Sequence, residues 1–247
     1  MSYDYKKGKA RLLKILNCDD EIEKIDMMSQ NDDEMNFNIG VETWITVVNV
    51  DIKNHQEILT QDSRKKVSIT LKSFHQEAVN ILNRPTELVK EIRIAEDNLY
   101  VVYNSPTKAN IYEVADNTFY LLTYIKMLNK MLKTKNLPMF DIGIGVSTNK
   151  GFVIKTGEDS EKVNNKLWLG KSLKEARTLS KAASTNHLDK VAFTEISYMN
   201  FIEELTKENI EAPSWFKLRQ NENFEKYYTA SITISGFDYW IKEGMME

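Results

Sequence analysis

The run VETWITVVNVDI, residues 41–52, constrains the fold more than any other segment of this 247-residue chain. It is a β-branched run, long and apolar enough for a strand buried inside a sheet. Downstream, hydrophobic spacing predicts a helix in SITLKSFHQEAVNIL, two strands around a tight turn in KEIRIAEDNLYVVYNSP, and a long helix over 113–135 that ends before Pro138. The next strand is predicted in FDIGIGV, so the order from residue 41 to 147 is β-α-β-β-α-β.

This order predicts an α+β fold of the ferredoxin-like βαββαβ type, with further strands and helices appended to it. Its antiparallel sheet is expected to carry helices on one face, which leaves the other face for a partner subunit or for the appended segments. The last strand of the unit opens FDIGIGVSTNKGFVIKTG, which is predicted as a hairpin that turns at residues 149–151. The tail 224–240 is predicted as an appended terminal strand.

Residues 1–40 form a unit of their own in this interpretation, ahead of a domain that spans 41–247. Residues 1–17 carry Leu and Ile at helical spacing among basic residues, which predicts an amphipathic helix. The acidic, Asn-rich stretch that follows, residues 18–40, is typical of a linker.

Composition excludes several classes of function. A net charge of −3 argues against a basic surface that wraps nucleic acid or coats an anionic membrane, so neither is expected as a partner. The single Cys18 excludes an internal disulfide. The charged start lacks an apolar core segment and no window approaches about 18 apolar residues, so we expect a cytoplasmic protein with no signal peptide or membrane span.

Two aspartates are the main candidates for chemistry. Asp51 ends the apolar strand, and Asp97 lies in the turn of the predicted hairpin. In the β-α-β-β layout the strand end and the turn fall at the same rim, so the two carboxylates can meet there. Together with the carbonyl of Ile52 they form a set of hard oxygen ligands for Mg²⁺ or Mn²⁺, and two such ions suit an attack at phosphorus. Ordinary strand-end and turn chemistry is the alternative for both aspartates.

Four motifs then resemble the class III nucleotidyl cyclases, and most of all the bacterial pyrimidine cyclases of the Pycsar anti-phage systems, over about residues 41–200. In chain order they are VDIK at 50–53, IAEDNLYVVYNSP at 94–106, IGIGV at 142–146 with IKTG at 154–157, and LWLGKSLKEA at 167–176. Each motif alone is weak, but four in the family's order are fairly specific.

The resemblance implies a reaction and an assembly. Two Mg²⁺ or Mn²⁺ ions held by Asp51, Ile52 and Asp97 would bind a nucleoside triphosphate, UTP or CTP, whose ribose 3′-oxygen attacks the α-phosphorus and releases pyrophosphate. The family's sites are shared between subunits, which implies a head-to-tail homodimer. The cyclic product would act as an alarm signal for a separate effector protein during phage infection.

The resemblance also suggests residues that bind the substrate. Arg93 stands where adenylate cyclases keep an adenine-reading lysine, and Asn49 and Trp168 are further candidates near the base. Lys53, Asn54 and Lys155 are candidates for the phosphates. The alternatives are solvated surface charges for the lysines and a core position for Trp168.

Three positions depart from the family pattern. Glu96 replaces the glycine that precedes the second aspartate, Lys174 replaces the asparagine that positions the ribose, and Thr178 replaces the cation four residues later. Arg177 or Lys174 could supply that catalytic charge. The substitutions leave open a nucleotide-binding homologue with weak turnover, and a purine cyclase is a further alternative. An RNA-binding module is disfavoured by the acidic charge and by the absence of its aromatic strand motif.

Overall fold

A mixed sheet with helices on both faces organises the computed structural model of the chain. The structure describes residues 3–17, 21–29, 39–156, 165–183 and 189–246. Cys18 and the last residue of the IKTG motif, Gly157, lie outside these ranges, as does most of the predicted linker.

The strands of the described residues are β1 Glu21–Lys24, β2 Ile39–Ile52, β3 Val89–Ile94, β4 Asn98–Asn104, β5 Ile142–Thr156, β6 Asn165–Leu169, β7 Val191–Thr194, β8 Lys217–Asn221 and β9 Phe224–Ala230. The helices are α1 Tyr5–Leu16, α2 His55–Leu59, α3 Arg64–Leu82, α4 Lys108–Thr134, α5 Lys171–Ala182, α6 Glu195–Glu208 and α7 Ser235–Lys242.

The central strands confirm the ferredoxin-like prediction. The sheet order is β3-β4-β2-β5-β7-β9-β8, and β2 pairs antiparallel with both β4 and β5. The first four of these strands are those of the βαββαβ unit, with α3 and α4 as its two main helices. The extra strands β7, β9 and β8 extend the sheet on the β5 side.

Alternate residues of β2 supply two different faces of the sheet. Val48, Val50 and Ile52 belong to the main core together with side chains of α3, α4 and α6, among them the fully buried Phe74 and Leu121. The residues between them, Asn49 and Asp51, therefore face the other side of the sheet. The strand thus places its polar end residues away from the main core.

Helix α5 covers that second face and approaches the sheet very closely. A Cβ atom on Gly145 would lie 2.0 Å from the backbone oxygen of Ala176, and one on Gly143 would lie 2.2 Å from that of Ser180. Only glycine permits this contact, because any other residue would place a side chain inside the helix backbone. An appended segment of the chain itself therefore covers this part of the sheet.

Two predicted elements are wrong. Residues 149–151 form no turn, because β5 is continuous and pairs with β2 from Ile142 to Val153. Gly151 is used for packing instead, since a Cβ there would lie 2.3 Å from the Cδ1 atom of Ile45. The tail is a strand only as far as Ala230 and then forms α7, whose Ile241 is buried.

The N-terminal region contributes more to the sheet than a linker would. Strand β1 pairs parallel with the first residues of β2, from Glu21 opposite Ile39 to Lys24 opposite Glu42. Met28 is buried, and its amide donates to the side-chain oxygen of Asn104. Helix α1 confirms the predicted amphipathic helix, with Gly8 as its only buried residue. No helix within the described ranges combines the length and apolar character that a membrane span requires.

Candidate active site

Asp51 and Asp97 lie at one rim of the sheet, as the sequence predicted. Asp51 is opposite Asn98 in the β2–β4 register, and Asp97 precedes Asn98 in the turn. The amide of Ile52 donates a hydrogen bond of 2.8 Å to the carbonyl oxygen of Asp97. This bond extends the β2–β4 ladder into the turn and holds the backbones of the two aspartates side by side.

Each carboxylate has one oxygen engaged within the described part of the chain. Asp97 accepts from the Nδ2 atom of Asn98 at 2.6 Å, and Asp51 Oδ2 forms an ion pair of 2.8 Å with the Lys53 ammonium. The carbonyl of Ile52 lies 3.2 Å from His55 Nδ1. Two carboxylates and a carbonyl are the hard oxygen donors that Mg²⁺ and Mn²⁺ prefer, so the donor set fits such ions.

No set of three or more His, Cys, Asp or Glu side chains that could hold a metal ion occurs among the residues the structure describes. Two carboxylates and one carbonyl leave most positions around Mg²⁺ to other oxygens, which the ion commonly takes from water and from substrate phosphates. The rim therefore fits a site that binds its ions together with a phosphorylated ligand.

Asn54 shapes the rim through backbone contacts. Its Nδ2 atom donates to the carbonyl of Met139 at 2.7 Å, and its Oδ1 atom accepts from the amide of Asp141 at 3.0 Å. The Lys53 amide also donates to the Asp141 carbonyl. Asn54 thereby fastens the entry to β5 against the end of β2, and it precedes the five-residue helix α2 without capping it through its side chain.

Asn49 and Lys53 both contact the end of α5. Asn49 is buried and donates to Ser180 Oγ at 2.7 Å. The Lys53 ammonium donates to the carbonyls of Ser180 and Lys181, each at 2.7 Å. The sequence suggested both side chains for substrate binding, but here they connect the end of β2, which carries Asp51 and is called the aspartate strand below, to α5. Ser180 is a residue that sequence reasoning missed.

Arg93 lies on the edge strand β3 and forms an ion pair with Glu91. Its guanidinium also donates to the carbonyl of Lys166 in β6, at 3.3 Å. Arg93 is opposite Tyr100 in the β3–β4 register. Burial, with a smaller contribution from the Glu91 charge, raises the pKa of Tyr100 above its ordinary value. Arg93 is therefore an exposed cation at the sheet edge, next to the more buried Glu91.

Lys155 and Trp168 lie on the β5–β6 hairpin, where Lys155 is opposite Lys166 and Trp168 is opposite Val153. Trp168 is buried in a small apolar cluster with Val47 and Val102. Its Nε1 atom has no hydrogen-bond partner within the described ranges. Trp168 is thus a packing residue that also holds a buried, unsatisfied donor.

The three candidates on α5 do not meet the aspartates of the same chain. Lys174 and Arg177 are exposed, and Thr178 Oγ1 donates back to the Lys174 carbonyl at 2.9 Å. Among the described residues, no hydrogen bond or ion pair joins any of the three to Asp51 or Asp97. Within one chain, the rim and the outer face of α5 are therefore not joined by any such contact among the described residues.

Comparison with known proteins yields a relative that covers the whole chain. A uridylate cyclase from Treponema porcinum is 35% identical over 247 residues, which is 100% of this chain and 84% of the relative. No family model matches the sequence.

Solved structures agree in fold. The adenylyl cyclase CyaB from P. aeruginosa superimposes with a TM-score of 0.62 at 14% identity, over 79% of this chain and 97% of that one. A dimeric guanylyl cyclase domain of the RhoGC fusion protein from Blastocladiella emersonii superimposes with a TM-score of 0.52 at 18% identity, over 75% and 94% of the two chains. With the full-length identity to the uridylate cyclase, these findings show that the chain belongs to the class III nucleotidyl cyclases, in the family of the pyrimidine cyclases.

Proposed function

We propose that this cyclase converts UTP into 3′,5′-cyclic UMP and pyrophosphate. The observation that carries the proposal is the shared rim of Asp51, Ile52 and Asp97 in a chain whose full-length relative is a uridylate cyclase. The resemblance of the four motifs supports a pyrimidine nucleotide in general, so CTP is the nearest alternative substrate. The structural neighbours include adenylyl and guanylyl cyclases, which share only the fold at 13% to 18% identity.

The reaction needs positioning and charge neutralisation more than proton transfer by the protein. The bond from the ribose 3′-oxygen to the α-phosphorus forms, the bond from the α-phosphorus to the bridging oxygen breaks, and the hydroxyl proton goes to solvent. Two Mg²⁺ or Mn²⁺ ions would supply the neutralising charge, with Asp51, Asp97 and the Ile52 carbonyl as their protein ligands. Through the ions, these three residues would orient the triphosphate at the end of β2.

Base and phosphate contacts remain assigned by resemblance. Arg93 and Lys155 are the cations we propose for base and phosphate recognition, and Trp168 is proposed to support the wall behind them. Asn54 is proposed to shape the phosphate site through the backbone, since its own side chain is bonded to the segment before β5.

A homodimer with two composite sites would join the two separated halves. Lys174 and Arg177 are exposed on one chain and make no contact with its own aspartates within the described ranges. We propose that they and Thr178 face the rim of the second copy, where one cation would stabilise charge on the reacting phosphate. The physiological role that the resemblance supports is a cytoplasmic anti-phage signal, read by a separate effector protein.

The test is incubation of the purified protein with Mn²⁺ and each of the four common nucleoside triphosphates, read by mass spectrometry. Cyclic UMP as the main product supports the proposal. Cyclic CMP as the main product would show that the substrate is CTP instead of UTP. A cyclic purine nucleotide as the main product would refute the assignment to a pyrimidine substrate.

A second candidate is a nucleotide-binding homologue with little turnover. The Lys53 ammonium already pairs with the Asp51 carboxylate, and a lysine replaces the ribose-positioning asparagine at position 174. Tight binding of a non-hydrolysable UTP analogue with Mn²⁺, without any cyclic product from UTP, would favour this candidate.

A further inference from the structure

One ammonium group links the aspartate strand to the helix that carries the candidate catalytic cations. Lys53 Nζ lies 2.8 Å from Asp51 Oδ2, 2.7 Å from the carbonyl of Ser180 and 2.7 Å from that of Lys181. The side chains of Lys53 and Asp51 are only 15% and 13% exposed. The contact is therefore largely withdrawn from solvent, unlike a surface ion pair.

These three acceptors use all the hydrogens of the ammonium. A lysine has three donors and no acceptor, and here each donor has a partner on the protein. The carbonyls belong to the last turn of α5, whose final carbonyl groups lack partners within the helix and carry its negative partial charge. Lys53 thus provides hydrogen-bond donors to a partly buried carboxylate and to the end of a helix at the same time.

Asn49, four residues before Lys53 and within β2, forms a second link. Its Nδ2 atom donates to Ser180 Oγ at 2.7 Å, and that hydroxyl donates to the Arg177 carbonyl at 2.9 Å. Asn49 is 3% exposed and Ser180 fully buried. Losing one partner of this pair would leave a buried polar group unsatisfied.

Apolar packing and polar contacts together hold α5 on the sheet. Its buried Ala176 belongs to an apolar cluster, and Ser147 Oγ on β5 donates to Glu175 Oε2 at 2.7 Å. The bonds from Asn49 and Lys53 add polar anchors at the C-terminal end of the helix.

We propose that Lys53 and Asn49 are positioning residues that hold α5, and with it Lys174, Arg177 and Thr178, in a fixed place relative to the aspartate strand. The inference rests on the proposed function, because those three residues serve a cyclase site only if the protein is a cyclase. Its physical basis is that a misplacement of about 1 Å can reduce a rate by about a hundredfold. This assigns both residues to the helix rather than to the triphosphate or the base.

The ammonium also has a predictable effect on the metal ions. It pairs with the same carboxylate that would hold a divalent cation, and two positive charges on one carboxylate repel each other. Removal of the ammonium should therefore strengthen Mn²⁺ binding while the loosened helix slows turnover. If Lys53 instead bound the triphosphate, its replacement would raise the KM for UTP.

The experiment compares Lys53→Met and Lys53→Arg with the wild-type protein. Lys72→Met, a change of an exposed lysine on α3, is the matched control. Hydrogen exchange of metal-free protein is measured over residues 177–183, Mn²⁺ binding by electron paramagnetic resonance, and kcat and KM with UTP. Ser180→Ala tests the Asn49 link separately and provides a second variant if Lys53→Met does not fold.

We expect Lys53→Met to speed exchange in the last turn of α5 by about tenfold, to tighten Mn²⁺ binding several-fold, and to lower kcat by about ten- to a hundredfold with little change in KM. Lys53→Arg should restore part of each effect, because a guanidinium can also reach a carboxylate and a carbonyl. Ser180→Ala should speed exchange in the same turn.

An unchanged exchange rate in Lys53→Met or Ser180→Ala, or a raised KM at constant kcat, would overturn the assignment. Absence of any cyclic product from the wild-type protein would refute the proposed function instead. In that case the exchange and Mn²⁺ measurements still decide whether Lys53 anchors the helix.

Discussion

The Ile52 amide donates a 2.8 Å hydrogen bond to the Asp97 carbonyl, and this bond joins a strand end to a turn that lies 45 residues further along the chain. Because Asp51 precedes Ile52 directly, the bond also sets the backbone separation of the two aspartates. The side chains are therefore held at one rim by the sheet itself, before any ion or nucleotide binds.

Replacement of either aspartate should remove metal binding and activity while the fold is kept. Asp51→Asn and Asp97→Asn each keep the size of the side chain but lose the charge that a divalent cation requires. We expect Mn²⁺ binding to be lost and cyclisation to fall by at least about a hundredfold. Binding is measured by electron paramagnetic resonance and product by mass spectrometry.

The matched control is Asp62→Asn, at an exposed aspartate that pairs with Lys66 on the surface. It should leave both measurements at the wild-type level. Cyclisation at the parental rate in either rim variant would show that the metal assignment is wrong.

Mixed dimers should test the composite site. A variant with Lys174→Ala and Arg177→Ala, and a second variant with Asp51→Asn, should each be inactive alone. Random exchange of subunits at equal amounts yields half heterodimers, each with one intact site of two, so about a quarter of the wild-type activity should return on mixing. Activity is measured before and after subunit exchange. If the mixture stays as inactive as its components, the sites are not shared between subunits.

The close contact of α5 with β5 should make one glycine irreplaceable. A Cβ on Gly145 would lie 2.0 Å from the Ala176 oxygen and 2.5 Å from the Ser180 amide nitrogen, so Gly145→Ala must displace a helix backbone. We expect a loss of about 2 to 3 kcal/mol in the free energy of unfolding, measured in urea.

Gly236→Ala is the control for this prediction, since a Cβ there meets nothing within 4 Å and the residue lies in α7. Its unfolding free energy should stay equal or rise by up to about 1 kcal/mol, because alanine favours a helix more than glycine does. Equal stability of the two variants would contradict the close approach of α5.

The half-buried His75 should make the fold less stable in mild acid. Burial lowers the pKa of this imidazole below its ordinary 6.5, and its ring lies edge-on to Phe74 at 4.9 Å. Between the lowered pKa and 6.5, the unfolded chain binds the proton and the folded chain does not, so stability falls as the pH falls through this window. We expect this loss to be smaller in His75→Leu.

Urea unfolding at pH 7.5 and at pH 5.5 measures the effect. The informative quantity is the change in unfolding free energy between the two pH values, compared between His75→Leu and the wild-type protein. An identical change in both proteins would mean that His75 titrates alike in the folded and unfolded chains.

Local pattern was sufficient for the order of the central elements. The β-branched run at residues 41–52 and the helical spacing of 113–135 each reflect a period that the backbone imposes, so β2 and α4 follow from the residues themselves. The strand end at Asp51 and the turn at Asp97 are local features too, and the βαββαβ order places them at one rim.

Secondary structure that depends on contacts with distant residues could not be predicted from the sequence. Gly151 favoured a turn by its sequence context, yet it lies in a continuous strand because it makes room for Ile45. The tail beyond Ala230 alternates like a strand but forms α7. This helix packs against α4 and is joined to it by the Lys126–Asp238 ion pair. Such tertiary contacts outweigh a weak local preference.

The sequence by itself determined the fold class, the two aspartates and their place at a strand end and a turn, since these depend on periodicity and turn chemistry along a few residues. Only the tertiary structure decided what Asn49 and Lys53 contact, because their partners in α5 lie 127 to 131 residues away. A polar side chain on a strand carries no local sign of the helix it will meet. Its role follows from the packing that brings the two elements together.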